Sequence, residues 1–265
     1  MQKKHLIIVA VLVLVFGIVA VRVLDAMRGQ SAPKLPAPIT YQEVEEINAK
    51  TVPTPATTKA VTQPKPSTAP SIRAAEMNLA VPFTVQAPVG DWGQPYQDAC
   101  EEASVLMVKE YYANGPSVID TNIAIKEILA MVALEDELFG YNIDTTVAET
   151  VLFAEKMYGL KAEILENPTV AQLKARLDKG QPIIFPAAGR VLKNPYFTPP
   201  GPLYHMAVIR GYTKNNQFIV NDPGTKRGNA FLYSFDTIMN AIHDWNGEAD
   251  ILEGKKLVII LHPQK

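Results

Sequence analysis

The chain is 265 residues long, 48% hydrophobic and 20% charged, a composition that fits one ordinary globular domain plus extensions. Its formal net charge of −2 hides an uneven distribution, with 9 Lys/Arg against 4 Asp/Glu in residues 1–75 and 16 against 23 in residues 76–265. An acidic globular part without a basic stripe excludes nucleic acid as the expected partner.

Lys3 and Lys4 precede an unbroken apolar run over residues 6–21, LIIVAVLVLVFGIVAV, followed by Arg22, Val23 and Leu24. Its 16 residues fall short of the roughly 20 that span a bilayer, but Arg22 can snorkel and admit the next two residues to the span. A cleaved signal peptide, with secretion of the protein, is the competing reading. Leu24-Asp25-Ala26 is a poor cleavage site, which favours an uncleaved anchor. The two lysines then keep the N-terminus in the cytoplasm and send the remainder outside, giving a single-pass membrane protein with an extracytoplasmic domain.

Residues 1–28 are therefore read as a membrane anchor (or signal segment) and residues 29–76 as a disordered Pro/Thr-rich linker. Residues 31–75 hold eight prolines and seven threonines, with no apolar periodicity beyond a short helical pattern over 41–48. Such a composition cannot offset its ordering entropy by burial, and its prolines make it an extended spacer. The globular domain is expected over residues 77–265.

Within that domain residues 81–85 read as a short strand. Helices are predicted from residue 100 to the Asn114-Gly115 stop, over 120–138, and over 146–158, the last opening with a Thr146/Glu149 capping box. Then come a strand over 160–165, a helix over 170–179 capped by Thr169 and stopped by Gly180, and an apolar strand over 181–186. Residues 204–212 and 217–222 read as a hairpin around Lys214-Asn215-Asn216, followed by a strand over 230–233, a helix over 235–241 capped by Ser234, and a strand over 257–261. Helices first and a mostly antiparallel sheet after is an α+β pattern.

The only cysteine lies in QAPVGDWGQPYQDACEEASVLMVKEYY, residues 86–112. Asp98 is the expected N-cap and Glu101 its capping-box partner, which puts Cys100 at the second helical position. Cys100, Ala103, Met107 and Tyr111 then form one apolar stripe. A thiol at a helix N-terminus meets unpaired N–H groups and the positive dipole end, which favour the thiolate. Glu101 and Glu102 oppose this and call for a cationic partner. The alternative is a small buried hydrophobe.

Three histidines of the domain are candidate bases. His205 opens HMAVIRGY directly after the Pro- and aromatic-rich loop NPYFTPPGPLY, a cleft-wall composition. His243 ends a surface-like helix beside Asp244, and His262 lies near the C-terminus. Asp222 in FIVNDPGT is the candidate to orient His205, with Asn221 as a spare, and an Asp-Pro-Gly turn as the plain reading. If residues 213 and 217 pair, His205 faces residue 225, about 10 Å along the strand from Asp222. A two-residue turn at Thr213-Lys214 would place the two directly opposite. Gln86 is either an ordinary loop polar residue or a side-chain oxyanion donor folded back beside the thiol.

Gln86 ahead of a Trp-containing loop, DACEEAS at a helix start, HMAVIRGY, and VNDPGT together resemble the papain-like cysteine peptidase domain of the double-glycine, bacteriocin-processing family and its stand-alone relatives, over roughly residues 80–262. The resemblance implies a papain-like fold with the Cys helix packed on the sheet, Cys100 as nucleophile, His205 as base, Asp222 as orienter and Gln86 as oxyanion donor. With His205 in that role the thiolate is expected to alkylate below pH 7. Relatives that process bacteriocin leaders often carry Gly after the Cys and are fused to an ABC transporter; this chain has Glu101 there instead.

The expected function is that of a membrane-anchored thiol hydrolase acting on peptides or proteins. An amidase or acyl transferase on cell-wall peptides, or a catalytically silent binding module, are the alternatives. No cofactor is expected, nor a metal, because Cys100, His205 and Asp222 lack short-range ligand spacing.

Overall fold

The computed structural model describes residues 34–51, 75–247 and 250–264. Residues from Pro36 onward form one compact unit; of the separate unit Met1–Leu35 only residues 34 and 35 are described, and they carry no helix or strand. The apolar run over 6–21 lies outside the described residues, as does most of the Pro/Thr-rich segment. Among the described residues no helix is long and apolar enough to cross a membrane.

Capping chemistry sets most helix starts. The helices are α1 (Tyr41–Thr51), α2 (Cys100–Tyr112), α3 (Thr121–Phe139), α4 (Val147–Tyr158), α5 (Val170–Leu177), α6 (Gly189–Leu192) and α7 (Phe235–Ala241). Asp120 accepts from the first-turn N–H groups of α3, the Thr146/Glu149 and Thr169/Gln172 pairs close capping boxes on α4 and α5, and Ser234 accepts from Thr237 N. Helix α2 departs from expectation. Asp98 ends a 3₁₀ turn over Tyr96–Asp98 and is not the cap; Ala99 is, with no side-chain bond, so Cys100 takes the first helical position.

The strands are β1 (Met77–Asn78), β2 (Lys161–Glu166), β3 (Ile183–Ala188), β4 (Tyr204–Tyr212), β5 (Gln217–Asn221), β6 (Phe231–Ser234) and β7 (Leu257–His262). They form one sheet in the order β2-β7-β3-β4-β5-β6, with β1 on β4 and every pair antiparallel. The α+β reading holds. β3 and β4 are buried at every residue, so neither shows the alternation of a half-exposed strand, whereas no residue of β2 is fully buried. The strand expected over 81–85 does not form; Phe83 makes only an isolated bridge to Val118.

The β4–β5 register decides where His205 and Asp222 meet. Thr213 N donates to Gln217 O at 2.9 Å, and the 213–217 pairing holds through Gly211↔Ile219. A bulge at Arg210 then shifts it by one, to Ile209↔Val220 and Val208↔Asn221. The buried Arg210 guanidinium donates to Asn78 Oδ1 and Val81 O, both at 3.0 Å, while Asn221 Nδ2 donates to Val81 O and Pro82 O. This network pins the segment leading to Gln86. Burial without a carboxylate pulls the Arg210 pKa down to about 10.

Residues 36–51 correct the linker boundary. Ile39 exchanges backbone hydrogen bonds with the 78–80 segment, Ile39 N to Asn78 O at 2.8 Å and Ala80 N to Ile39 O at 2.7 Å. Val44 on α1 is 5% exposed, and Tyr41 stacks edge-on against Tyr111 and Tyr112. Apolar Ile39, Tyr41 and Val44 supply the burial that a linker lacks, so the packed unit starts near residue 36 and not at 77. Val44→Ala should destabilise it by about 1.5–2.5 kcal/mol, two buried carbons at ~0.8 kcal/mol each plus a small cavity. Ile47→Ala, 53% exposed on the same helix, should change it by less than ~0.5 kcal/mol. Urea unfolding of residues 36–265 checks this; equal effects would return the segment to linker.

Candidate active site

His205 lies in β4, and Asp222 is the first residue beyond the end of β5. The one-residue bulge shift and the turn of the chain at Pro223 bring the two together: His205 Nε2 and Asp222 Oδ1 are 2.8 Å apart. Asp222 is wholly buried and saturated. Gly224 N donates to Oδ1 at 3.0 Å; Asn194 Nδ2 at 3.0 Å and Tyr233 Oη–H at 2.6 Å donate to Oδ2. Burial pushes this carboxyl up, but the His205 charge and the hydrogen bonds from His205, Tyr233 and Asn194 outweigh it and hold it below the usual carboxylate range. An ionised Asp222 accepts, so Nε2 carries the proton and Nδ1 is the ring nitrogen left to take one. Phe197 packs edge-on against the imidazole at 5.3 Å.

Two glycines make this arrangement possible by close approach. A Cβ on Gly228 would lie 1.8 Å from Asp222 O, and one on Gly224 would lie 2.9 Å from His205 Cε1. Neither neighbour can retreat, the first being backbone and the second a ring held by Asp222.

Cys100 is brought to β4 by the inward stripe of α2, on which Ala103, Met107 and Tyr111 are buried. Met206 N donates to Sγ at 3.2 Å, and the thiol donates to Glu101 Oε2 at 3.0 Å. These surroundings oppose the expected low-pH thiolate. Burial pushes the thiol well above its ordinary range, the Glu101 charge and hydrogen bond and the Asp144 charge add to it, and only the Met206 N–H opposes them. No hydrogen bond joins Cys100 to His205, although both line one cavity.

Next to the thiol lies a group of acids that sequence reasoning saw only in part. Glu101, Glu102 and Glu135 are each 1% exposed. Burial first pushes all three up, Glu135 to about 8; the charges of Asp144 and Glu135 add to it for Glu101, those of Glu135 and Glu101 for Glu102, and those of Asp136 and Glu149 for Glu135. Asp144, in the loop before α4, is pushed to about 6 by burial and by Asp98.

The structure relocates the remaining candidates. Gln86 lines the cavity with Cys100, but Nε2 donates to Tyr96 O at 3.1 Å and Gln97 O at 2.8 Å. Both amide hydrogens are thus committed to the 3₁₀ turn before α2, and no free oxyanion donor remains there. Asn221 is spent on Val81 and Pro82 and does not orient His205. His243 is buried, not on a surface-like helix end, and its Nδ1 lies 3.3 Å from Ala241 O. His262 ends β7 and lines a different cavity. The loop singled out as a cleft wall does supply Phe197 and Leu203 to the cavity, whereas nothing in the sequence marked Asn194 or Tyr233 as partners of Asp222.

The cavity holding Cys100 and His205 has a volume of about 500 Å³; Trp92, Phe197 and Leu203 give it apolar walls, and Asp98 and Asp144 line it too. Among the described residues no group of His, Cys, Asp and Glu is arranged to hold a metal ion. The arrangement suits nucleophilic attack by sulfur with proton transfer through an oriented imidazole.

A model of the Peptidase_C39 like family matches residues 78–247. No curated protein shows a significant match to the chain. Among solved structures, a C39-like peptidase from Bacillus anthracis aligns at 17% identity and a TM-score of 0.46, over 72% of this chain and 98% of its own. The peptidase domain of Streptococcus ComA, a bifunctional ABC transporter of a quorum-sensing pathway, aligns at 20% identity and 0.39, over 63% and 93%. A fragment of Prevotella intermedia prointerpain A aligns at 16% and 0.44, over 84% and 81%. Likenesses this distant add nothing to the fold assignment, which rests on the family match and on the helices packed against an antiparallel sheet.

The acid group makes stability fall with rising pH. A carboxyl whose folded pKa is raised binds extra protons in the native state, so its contribution is full below the unfolded value of ~4.3 and is lost as pH rises through the folded value. For Glu135 the window runs from there to about 8. Each extra native-state proton costs up to ~1.4 kcal/mol per pH unit across it. Glu135→Gln should therefore flatten the decline and leave the protein more stable than wild type near pH ~8. Urea unfolding near pH ~5 and ~8 measures this, and an unchanged slope would contradict it.

Proposed function

The chain belongs to the Peptidase_C39 like family and is a cysteine peptidase of papain-like fold, and from that premise we propose that it hydrolyses peptide bonds with Cys100 as nucleophile, His205 as base and Asp222 as the group that orients the base. The observation that carries the assignment of roles is the 2.8 Å contact between His205 Nε2 and an Asp222 held ionised, in the cavity that also holds the thiol. Asp222 fixes the tautomer, so Nδ1 takes the Cys100 proton as sulfur attacks the scissile carbonyl carbon. The imidazolium returns that proton to the leaving amine. A water, deprotonated by His205, then attacks the thioester, the acid departs and the thiol is restored.

Negative charge on the carbonyl oxygen needs N–H donors, and the first turn of α2 supplies that of Cys100. On this reading Gln86 becomes the second donor when substrate displaces its bond to Tyr96 O, the longer of its two. The apolar walls made by Trp92, Phe197 and Leu203 suit a peptide in extended form.

We further propose that residues 1–28 hold the peptidase at the membrane with its domain extracytoplasmic. The apolar run behind Lys3 and Lys4 supports this.

Incubating residues 36–265 with a peptide library and reading products by mass spectrometry should show defined cleavages that Cys100→Ala abolishes. Cleavage surviving in Cys100→Ala would sink the assignment of the nucleophile. In its native host the full chain should stay in the membrane fraction with its domain open to added protease. Recovery of a soluble form that begins after residue 26 would replace the anchor by a signal peptide.

A further inference from the structure

Glu101 is a buried titratable group for which the peptidase chemistry has no task. It follows Cys100 on the first turn of α2, its Oε2 lies 3.0 Å from Sγ, and its Oε1 has no partner. The groups that face it are acids or neutral: Cys100 and Glu102 on its own helix, Glu135 on α3, Asp144 in the loop before α4, and Tyr204 on β4. Asp136 on α3 and Glu149 on α4 act on Glu135 in turn. Glu102 and Glu135 face each other, though both Glu135 oxygens fall short of hydrogen-bond geometry. None of the ion pairs among the described residues reaches this group. Acids packed this way without a cation cannot all ionise together, so protons are shared among them.

The hydrogen bond between Cys100 and Glu101 has two senses. A carboxylate accepts from the thiol and, by its charge, disfavours the thiolate. A neutral carboxylic acid donates to sulfur and stabilises the thiolate, as neutral buried acids do for other anions. We propose that Glu101 is the protonation switch of the nucleophile: ionised, it keeps Cys100 a thiol; protonated, it turns donor and supports the thiolate. In the activated state the proton on Glu101 has come from solvent, the Cys100 proton has passed to His205 Nδ1, and the Glu101 O–H points at the sulfur anion. The net uptake is one proton, on Glu101. The switch rests on Cys100 being the nucleophile but not on what the enzyme cleaves.

Alkylation by iodoacetamide reads the switch without a substrate, because Cys100 is the only cysteine. The full chain in detergent and its Glu101→Gln variant are followed across pH by alkylation rate and by thiolate ultraviolet absorbance. Gln keeps a donor and cannot ionise. Glu101→Gln should therefore lower the thiol pKa by about one unit or more and speed alkylation ~10-fold in the range where the wild-type carboxylate is charged. An unchanged profile would overturn the proposal. So would slower alkylation at every pH, which would make Glu101 the base that takes the thiol proton. If the variant does not fold, the wild-type titration decides: a switch gives two coupled steps, and a single step overturns it. A chain that shows the switch but cleaves no peptide would count against the peptidase chemistry alone. A chain that cleaves peptides, with Glu101→Gln titrating like wild type, would count against the switch alone.

Discussion

At the centre of the site helix α2 meets strand β4 through a polar contact, the donation of Met206 N to Cys100 Sγ at 3.2 Å. It forms because the inward stripe of α2 packs on a strand that is buried at all nine positions. His205 is the residue before Met206, so whatever seats α2 on β4 also brings the thiol and the imidazole to one cavity. The α2 contacts at Ala103 and Met107 are fully buried, and hydrophobic burial at ~25 cal/mol per Å² outweighs any single polar contact at the junction. Packing decides where the sulfur lies, and hydrogen bonds decide its state.

Two buried acid systems lie near Cys100 and resolve in opposite ways. Asp222 accepts three hydrogen bonds besides its contact with His205. An ionised carboxylate so surrounded is compensated for its loss of water. Glu101, Glu102 and Glu135 have no comparable donors, and burial therefore drives them toward the neutral form. The same residue chemistry gives an anchor for the His205 ring on one side and carboxyls that favour their protons on the other.

Much of this was legible in the sequence because caps and apolar periods are local. Asp120, Thr146, Thr169 and Ser234 cap the helices they announce, and the 204–212 strand is found at those bounds. What failed was non-local. Asp98 has the chemistry of an N-cap, but Gln86 holds the carbonyls of Tyr96 and Gln97, and the chain arrives at α2 through a 3₁₀ turn. The hairpin was in register at its turn and slipped at Arg210, whose side chain is drawn to Asn78 and Val81 more than a hundred residues earlier. Asn194 and Tyr233 were invisible because nothing in their neighbours shows that Asp222 needs two donors on its second oxygen. Residues 36–51 were hidden by composition: prolines mark the segment as unable to form a core of its own, yet Ile39 and Val44 need only join an existing one.

The thiol exposes a matter of magnitude. The positive end of α2 favours an anion by 0.3–1 kcal/mol in the usual case and by ~2 kcal/mol at best. Taking an unpaired charge out of water costs several kcal/mol even after relaxation. A dipole alone therefore cannot hold a thiolate at a position 4% exposed with a carboxyl 3.0 Å away. Placement at a helix start, which made Cys100 conspicuous in the sequence, is thus insufficient to activate it. On the proposed roles the deficit is met by proton traffic: transfer of the thiol proton to His205, held in its tautomer by Asp222, on one side, and the loss of negative charge from Glu101 on the other. Under those roles the reactivity of Cys100 depends on the protonation states of both neighbours, because a dipole worth at most ~2 kcal/mol leaves the greater part of the cost of a buried thiolate to them.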